Sequence, residues 1–186
     1  MNRLVILLLV SISMAACSLK PQTLKVEPKL DFAAVQGISI PVTVNVVDKR
    51  ESPELLGYRN AKKEGEMRFS KPLADTLKVQ ITKALQAQGA STNKSPEPAT
   101  ELVVEIHKLS YYTPDESWVS EIEMKGEVVL NIRRGSTNLK KRFAANQSQD
   151  VVTAPSAEFN ETYMNVLLTT LINKAMNDRE VIGFIK

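Results

Sequence analysis

Alternating apolar and polar residues predict three strands in the middle of the chain. Over residues 38–46 apolar residues alternate with polar ones, which is the period of a half-buried β-strand. Pro41 has no amide hydrogen to donate, so this strand is predicted to lie at a sheet edge or to be distorted there. A second strand begins at Leu102, and its alternation slips near Lys108, which predicts a β-bulge. A third and longer strand begins at Trp118.

The third strand is predicted to form a hairpin with the segment that follows it. Residues 135–138 read Gly-Ser-Thr-Asn, which is typical of a hairpin loop, and residues 139–149 would form the returning strand. Pairing Leu130 with Phe143 matches the apolar faces of the two strands, so we predict that register.

Apolar residues spaced three and four apart predict two long helices. The first is predicted over residues 71–88, with Ser70 as its N-cap and Gly89 just beyond its end. The second is predicted from about Ser156 to Met176. Residues 181–185 are apolar and predict a short strand or helical turn packed on the core.

The order of elements predicts the fold class. Each helix has one apolar stripe and each strand one apolar face, and such elements bury their apolar sides against each other in two layers. We therefore predict an α+β fold, a two-layer sandwich of an antiparallel or mixed sheet with two long helices packed on one face. Residues 48–70 are predicted to form a long polar loop.

The first sixteen residues have the composition of a secretory signal peptide. Arg3 precedes an apolar run over residues 4–12, and the small residues Ala15 and Ala16 precede Cys17. The apolar run is shorter than the ~20 residues that a helix needs to span a bilayer. We predict that residues 1–16 are removed after export.

The end of this signal resembles a lipobox, the motif of bacterial lipoprotein precursors, with Met14 in place of the usual leucine. The resemblance implies cleavage between Ala16 and Cys17, a diacylglyceryl group on the Cys17 thiol and an acyl group on the new amine. The alternative is ordinary cleavage beside a coincidental cysteine. Cys17 is the only cysteine of the chain and has no disulfide partner, which favours lipidation.

Ser18 resembles the residue that follows the cysteine in lipoproteins of the outer membrane, which implies the periplasmic face of that membrane. Residues 17–35 contain scattered prolines and lysines and are predicted to be the lipidated N-terminus and a tether. Residues 36–186 are predicted to form a single periplasmic domain. Removing Arg3 lowers the formal net charge from +3 to +2, which is too small to indicate a nucleic-acid partner.

Few residues of the chain suit catalysis or metal binding. His107 is the only histidine, and no cluster of histidine, cysteine and carboxylate surrounds it in the sequence. A Gly-x-Ser-x-Gly motif, a glycine-rich phosphate loop and a dinucleotide fingerprint are all absent from the sequence. We predict no catalytic residues, no metal, no cofactor and no enzymatic activity.

One charged segment is a candidate for partner binding. Asp48, Lys49 and Arg50 end the first predicted strand and open the long loop that contains Gly57. Asp48, Arg50 and Gly57 could dock a partner protein or an anionic glycan. In the structural alternative, Asp48 caps a turn and pairs with Arg50, and Gly57 supplies a positive φ angle.

The sequence resembles the YajG family of uncharacterised enteric lipoproteins. The resemblance lies in the lipobox at Cys17, in Val44–Arg50 and in the Leu56-Gly57-Tyr58 turn, and the order of elements agrees over most of the mature chain. It implies a location and a fold, because the family has no established activity.

We therefore predict a non-enzymatic interaction module, held to the outer membrane by acyl chains on Cys17. Its partner would be an envelope protein complex, peptidoglycan or a carried lipid. One alternative is an accessory lipoprotein of an envelope transport or assembly complex, and another is a peptidoglycan-remodelling enzyme. A deep acidic cleft with raised pKa values would favour the enzyme. A closed apolar pocket would favour lipid carriage, and an exposed apolar patch or a bare sheet edge near residues 38–46 would favour protein docking.

Overall fold

A computed structural model describes residues 19–32, 35, 37–38, 41–91, 99–113 and 120–186. The predicted signal peptide, Cys17 and Trp118 lie outside these residues. The predictions that concern them stay predictions.

The described residues form one seven-stranded mixed sheet. Hydrogen bonds connect its strands in the order β1-β4-β3-β5-β6-β7, and β2 lies beside β5. The β1–β4, β2–β5 and β3–β5 pairs are parallel, and the others are antiparallel. The strands are β1 (Gln22–Leu24), β2 (Val42–Asp48), β3 (Leu55–Tyr58), β4 (Glu66–Phe69), β5 (Thr100–Tyr112), β6 (Ser120–Arg134) and β7 (Thr137–Val151).

Three helices are present in the described part of the chain: α1 (Leu73–Ala87), α2 (Ala157–Met176) and α3 (Arg179–Ile185). The predicted boundaries of the two long helices are correct to within two residues. Ser156 caps α2 by accepting a hydrogen bond from the Phe159 amide at 3.1 Å. Ser70 is not the N-cap of α1, because Pro72 occupies that position and no side chain caps the helix there.

The first predicted strand is shorter than its alternating pattern. β2 begins at Val42, and the carbonyl of Pro41 accepts a hydrogen bond from the Thr100 amide just before the parallel pairing with β5 starts. Within the described residues β2 pairs with β5 alone, so it is an edge strand in its half of the sheet, as Pro41 predicts. The bulge predicted in β5 is confirmed between Ile106 and Lys108.

The register predicted for the β6–β7 hairpin is wrong by two residues. The loop is the two-residue turn Gly135-Ser136, so Arg134 pairs with Thr137, and Val128, rather than Leu130, lies opposite Phe143. Gly135 has a φ of +59°, a conformation that glycine adopts without strain and that two-residue hairpin turns require. A shift of two keeps every side chain on its predicted face.

The polar loop predicted over residues 48–70 contains two short strands, β3 and β4, which pair with each other. Each is only four residues long, too short for an alternating pattern to be distinguished from a loop. They connect the long strand β5 to the N-terminal strand β1.

The tether predicted over residues 17–35 is wrong for most of its length, because the described part of this segment is folded. Gln22–Leu24 is β1, and the side chains of Leu24, Val26, Phe32 and Val35 are buried in the core. The folded domain therefore begins at or before Gln22 rather than at residue 36. Pro28 is buried as well. A proline within so short an apolar pattern argues against a strand, and the segment was therefore interpreted as a tether.

Side chains of α2 hold this N-terminal segment in place. The amide of Lys25 donates to Glu161 at 2.7 Å, that of Glu27 to Asn165 at 2.7 Å, and that of Asp31 to Asn173 at 3.0 Å. The three acceptors are four and eight residues apart, so they share one face of the helix. The extended segment therefore runs along α2 without strand pairing beyond Leu24, and side chains of the helix accept hydrogen bonds from these three amides.

One apolar cluster joins the sheet, the N-terminal segment and the helices. α2 packs closely over β6, where a Cβ added at Gly126 would lie 2.9 Å from a methyl carbon of Leu171. The fold is thus a mixed α+β fold with an open seven-stranded sheet and three helices in the described residues.

Candidate functional site

Asp48 and Arg50, predicted as part of a partner-binding loop, form a buried ion pair at the end of β2. Their side chains are only 8% and 7% exposed. The Arg50 Nε donates to Asp48 Oδ1 at 2.9 Å, and a terminal nitrogen donates to Oδ2 at 2.6 Å, which is a bidentate arrangement. Asp48 Oδ1 also accepts the Arg50 amide at 3.2 Å.

The remaining contacts of Arg50 are also internal. Its guanidinium donates to the carbonyls of Leu55, at 3.1 Å, and Pro53, and it lies 5.5 Å from the centre of the Phe69 ring. Arg50 thereby closes the loop between β2 and β3. This is the pairing of the structural alternative, and it leaves little of either charge for a partner.

Gly57 is required by close packing as well as by its backbone conformation. Its φ is +159°, so the positive φ angle of the structural alternative is confirmed. Gly57 pairs with Tyr111, and a Cβ at position 57 would lie 2.8 Å from the carbonyl oxygen of Tyr111. A side chain there would therefore separate β3 from β5.

We expect Gly57→Ala to destabilise the fold by roughly 1–3 kcal/mol, because the added methyl group meets backbone that cannot move without breaking the sheet. Urea unfolding of the two proteins measures the difference. Gly183→Ala is the control, since nothing lies within 4 Å of a Cβ there and alanine is favoured in a helix by ~0.5–1 kcal/mol. Equal or opposite effects of the two changes would contradict the close-packing role of Gly57.

The single histidine lies on the solvent side of β5. His107 Nε2 is 3.0 Å from Glu105 Oε2, and this hydrogen bond is the main reason that the pKa of the Glu105 carboxyl is lowered. The pKa of Asp178 is also lowered, chiefly by its hydrogen bond from Lys141. General acids require a raised carboxyl pKa, so neither Glu105 nor Asp178 suits that role.

No group of three or more histidine, cysteine or carboxylate residues that could hold a metal ion occurs within the described ranges. Asp115 and Glu116, two carboxylates near the end of β5, lie outside them.

An open groove runs between the N-terminal segment and α1. It has a volume of about 510 Å³, and its apolar lining includes Leu24, Val26, Leu73 and Val79. Val79 lines the groove and is 50% exposed, so the groove presents apolar surface to solvent. We refer to this feature as the α1 groove.

Charged residues of both signs line the α1 groove: Lys25, Glu27, Lys71, Asp75 and Lys83. A smaller depression of about 270 Å³ adjoins it and shares Phe69, Ser70 and Leu73 with it. Asp48 lines that depression, so the predicted loop site and the α1 groove are neighbours. The α1 groove could not be predicted from the sequence, because residues 24–27 were interpreted as a tether.

The segment that follows the predicted lipidation site is held by the β3–β4 loop. The Arg59 guanidinium donates to the carbonyl of Lys20 at 3.1 Å and to that of Pro155 at 3.1 Å. Gln22 Nε2 also donates to Pro155, at 3.0 Å. Arg59 therefore joins the N-terminus, the β3–β4 loop and the β7–α2 loop.

Comparisons with known proteins give a family through a family model and a similar fold through a solved structure. A family model described as "Uncharacterized lipoprotein" matches residues 28–186. No curated protein matches the chain. Among solved structures, the protein XCC0632 from Xanthomonas campestris, of family DUF330, is similar with a TM-score of 0.61 and 9% identity, over 87% of this chain and 96% of that chain. An uncharacterized protein is similar with a TM-score of 0.49 and 11% identity, over 84% and 99% of the respective chains.

At 9% identity the similarity to XCC0632 supports the fold alone, and the second similarity carries no argument. Among the described helices, none combines the length and the hydropathy that crossing a bilayer requires.

Proposed function

Because the chain belongs to a family of uncharacterized lipoproteins, the YajG family, we propose that it is a lipid-anchored, non-enzymatic interaction module on the periplasmic face of the outer membrane. Acyl chains on Cys17 hold it there, and Ser18 is the residue that supports the outer membrane over the inner one. Three acyl chains exceed the single chain that gives only marginal binding, so the attachment is stable.

The α1 groove is the observation that carries the interaction role. An open groove with an apolar floor and a mixed-charge rim suits a polypeptide segment, whereas a carried lipid requires a closed apolar pocket. The partner that we propose is an extended segment of an envelope protein, with apolar side chains for the floor and charges of both signs for the rim.

Recognition in the α1 groove uses side chains rather than strand pairing. The amides of Lys25 and Glu27 already donate to Glu161 and Asn165 of α2, so they cannot pair with an added strand. Specificity therefore depends on the apolar residues and on the charges of Lys71 and Asp75 at the rim.

We also infer that both long helices lie on one face of the sheet. Gly126 of β6 lies under α2, and Val128 and Leu130 continue the same face of that strand. Ile132 lies on the same face of β6 and pairs with Leu102 of β5, which in turn pairs with Val44 of β2. All three residues are buried, and α1 packs against β2.

Site-specific photocrosslinking in intact cells tests the groove. Val79 and Val166 are both valines on long helices and are both 50% exposed, but only Val79 lines the α1 groove. With benzoylphenylalanine at position 79 we expect a discrete adduct to an envelope protein, mapped by mass spectrometry to an extended segment. Position 166 is the matched control. Equal adducts at both positions, or adducts with lipid alone at position 79, would contradict the proposal.

The alternative role, an accessory lipoprotein of an envelope transport or assembly complex, would use the same groove. The identity of the protein captured at position 79 separates the two roles.

A further inference from the structure

The chain between the proposed lipid and the folded domain is very short. Leu19 packs against the β3–β4 loop, where a Cβ added at Gly65 would lie 3.0 Å from the Leu19 Cβ. Only Ser18 separates Leu19 from Cys17. Two residues span at most ~7 Å, so the α-carbon of Cys17 lies within about 7 Å of that of Leu19 wherever residues 17 and 18 point.

The end of the domain that holds Leu19 is well fixed. Arg59 donates to the carbonyls of Lys20 and Pro155, and Gln22 donates to Pro155 as well. The β1 strand that follows pairs Gln22 with Met67. Three chain segments thus meet beside the lipid attachment, and the acyl chains cannot enter a bilayer unless this end of the domain is close to it.

The surface at this end has the composition of a membrane-contacting face. The loop after β7 contains Val152, which is 78% exposed, followed by the exposed uncharged residues Thr153 and Ala154. Lys62 and Lys63 are exposed at the tip of the β3–β4 loop. We define the anchor face as Leu19, Lys20, Lys62, Lys63 and residues 152–154.

Each part of the anchor face matches one layer of a bilayer surface. An exposed aliphatic side chain in an uncharged loop gains free energy by entering the boundary between headgroups and acyl chains. Lysines extend their charged ends to lipid phosphates while their methylene stems lie along apolar surface. Asp150 and Glu158 flank the loop and offset the charge of the lysines, so the apolar contact and the short linkage make the main contribution to the orientation and the lysines add to it.

We propose that the domain lies directly on the bilayer, with the anchor face against lipid headgroups, rather than extending from it on a flexible linker. This orientation rests on the acylation of Cys17 proposed above. Gln22 pairs with Met67, Met67 with Gly57, and Gly57 with Tyr111, so Gln22 lies level with the end of β5. The β6–β7 turn lies next to Arg133, which pairs with Glu101 at the other end of β5. Ten residues of strand at ~3.3 Å each place that turn roughly 33 Å farther from the membrane.

Fluorescent labels at the two ends of the domain test this orientation. Cys17 is the only cysteine, so in the acylated protein a cysteine introduced at another position is the sole free thiol. The full-length gene is expressed, and the mature acylated protein is reconstituted in phosphatidylethanolamine–phosphatidylglycerol vesicles that contain nitroxide-labelled lipid. Val152→Cys and Lys62→Cys each carry the dye NBD, and Ser136→Cys in the β6–β7 turn is the control.

We expect blue-shifted, strongly quenched emission at position 152, weaker quenching at position 62, and the emission of a water-exposed dye at position 136. Quenching at position 152 that does not exceed quenching at position 136 would overturn the proposed orientation. Mass spectrometry of the same samples reports acylation separately. An acylated protein with an unquenched label at position 152 overturns the orientation alone, whereas a protein without acyl chains overturns the proposed function.

A charge reversal tests the part that the lysines play. We expect Lys62→Glu/Lys63→Glu to reduce quenching at position 152 more in vesicles with phosphatidylglycerol than in phosphatidylcholine alone. The matched control is Arg134→Glu/Lys140→Glu, which reverses two exposed charges at the far end of the domain. Equal effects of the two double variants would overturn the contact between Lys62 and Lys63 and the headgroups.

Discussion

We expect that replacing Cys17 with serine releases the mature protein from membranes and abolishes its labelling by palmitate. The reason is that serine lacks the thiol to which the lipid would be attached. A single myristoyl chain alone supplies a membrane association constant of about 10⁴ M⁻¹, so the loss of several chains removes almost all of the membrane affinity that the anchor provides. Flotation with vesicles measures the loss, comparing the acylated mature protein with a Cys17→Ser form produced without residues 1–16.

Ser18→Ala is the matched control for this change, because it alters the neighbouring hydroxyl and keeps the thiol. It should retain palmitate and float with vesicles as the unchanged protein does. A Cys17→Ser protein that floats equally well would show that another part of the chain binds the membrane, and the lipid anchor would not be needed.

Replacing Asp48 with alanine should destabilise the fold by roughly 3–5 kcal/mol, because it leaves the Arg50 guanidinium buried without a counterion. Arg50 is only 7% exposed and is held by the carbonyls of Leu55 and Pro53, so it cannot easily turn outward to water. Urea unfolding at neutral pH measures the difference. A loss below about 1 kcal/mol would contradict the burial of this pair.

Two further variants separate the charge from the packing. Asp48→Leu combined with Arg50→Met replaces the pair by apolar side chains and should recover most of the stability, since a buried ion pair is often no more stabilising than apolar packing. Glu66→Ala removes the partner of Arg68 from a pair that is 42–46% exposed, and should cost less than about 1 kcal/mol.

The elements that sequence periodicity predicted are those in which many residues share one apolar side. α2 has eight buried positions, and the helix begins within one residue of its predicted start, where Ser156 forms the cap. The long strands β5 and β6 each have six or more buried residues, which is enough for alternation to be distinguished from chance. Even the bulge after Ile106 disturbed this alternation visibly.

The elements that were missed are short and depend on distant partners. β1 has three residues and β3 and β4 have four, and each is stabilised by strand pairing rather than by its own pattern. Leu24 and Val26 alternate, but two residues are too few to indicate burial. The α1 groove combines residues 24–27 with a helix some fifty residues later, and nothing local in either segment predicts that they meet.

The candidate site was only partly predictable for the same reason. Asp48 and Arg50 were identified from the charged triplet at the end of a strand, and their pairing was one of two interpretations. Arg59 was not identified, because it donates to the backbone carbonyls of Lys20 and Pro155. Every residue has a backbone carbonyl, so the sequence does not indicate which of them accept a hydrogen bond.

The intact mass and the N-terminal peptide of the mature protein, purified from membranes, test the central claim most directly. A polypeptide that begins at residue 17 and carries a diacylglyceryl group and an amide-linked acyl chain on that cysteine is the result we predict. A polypeptide that retains residues 1–16, or one with an unmodified thiol at position 17, would contradict the lipid anchor and the membrane orientation that depends on it.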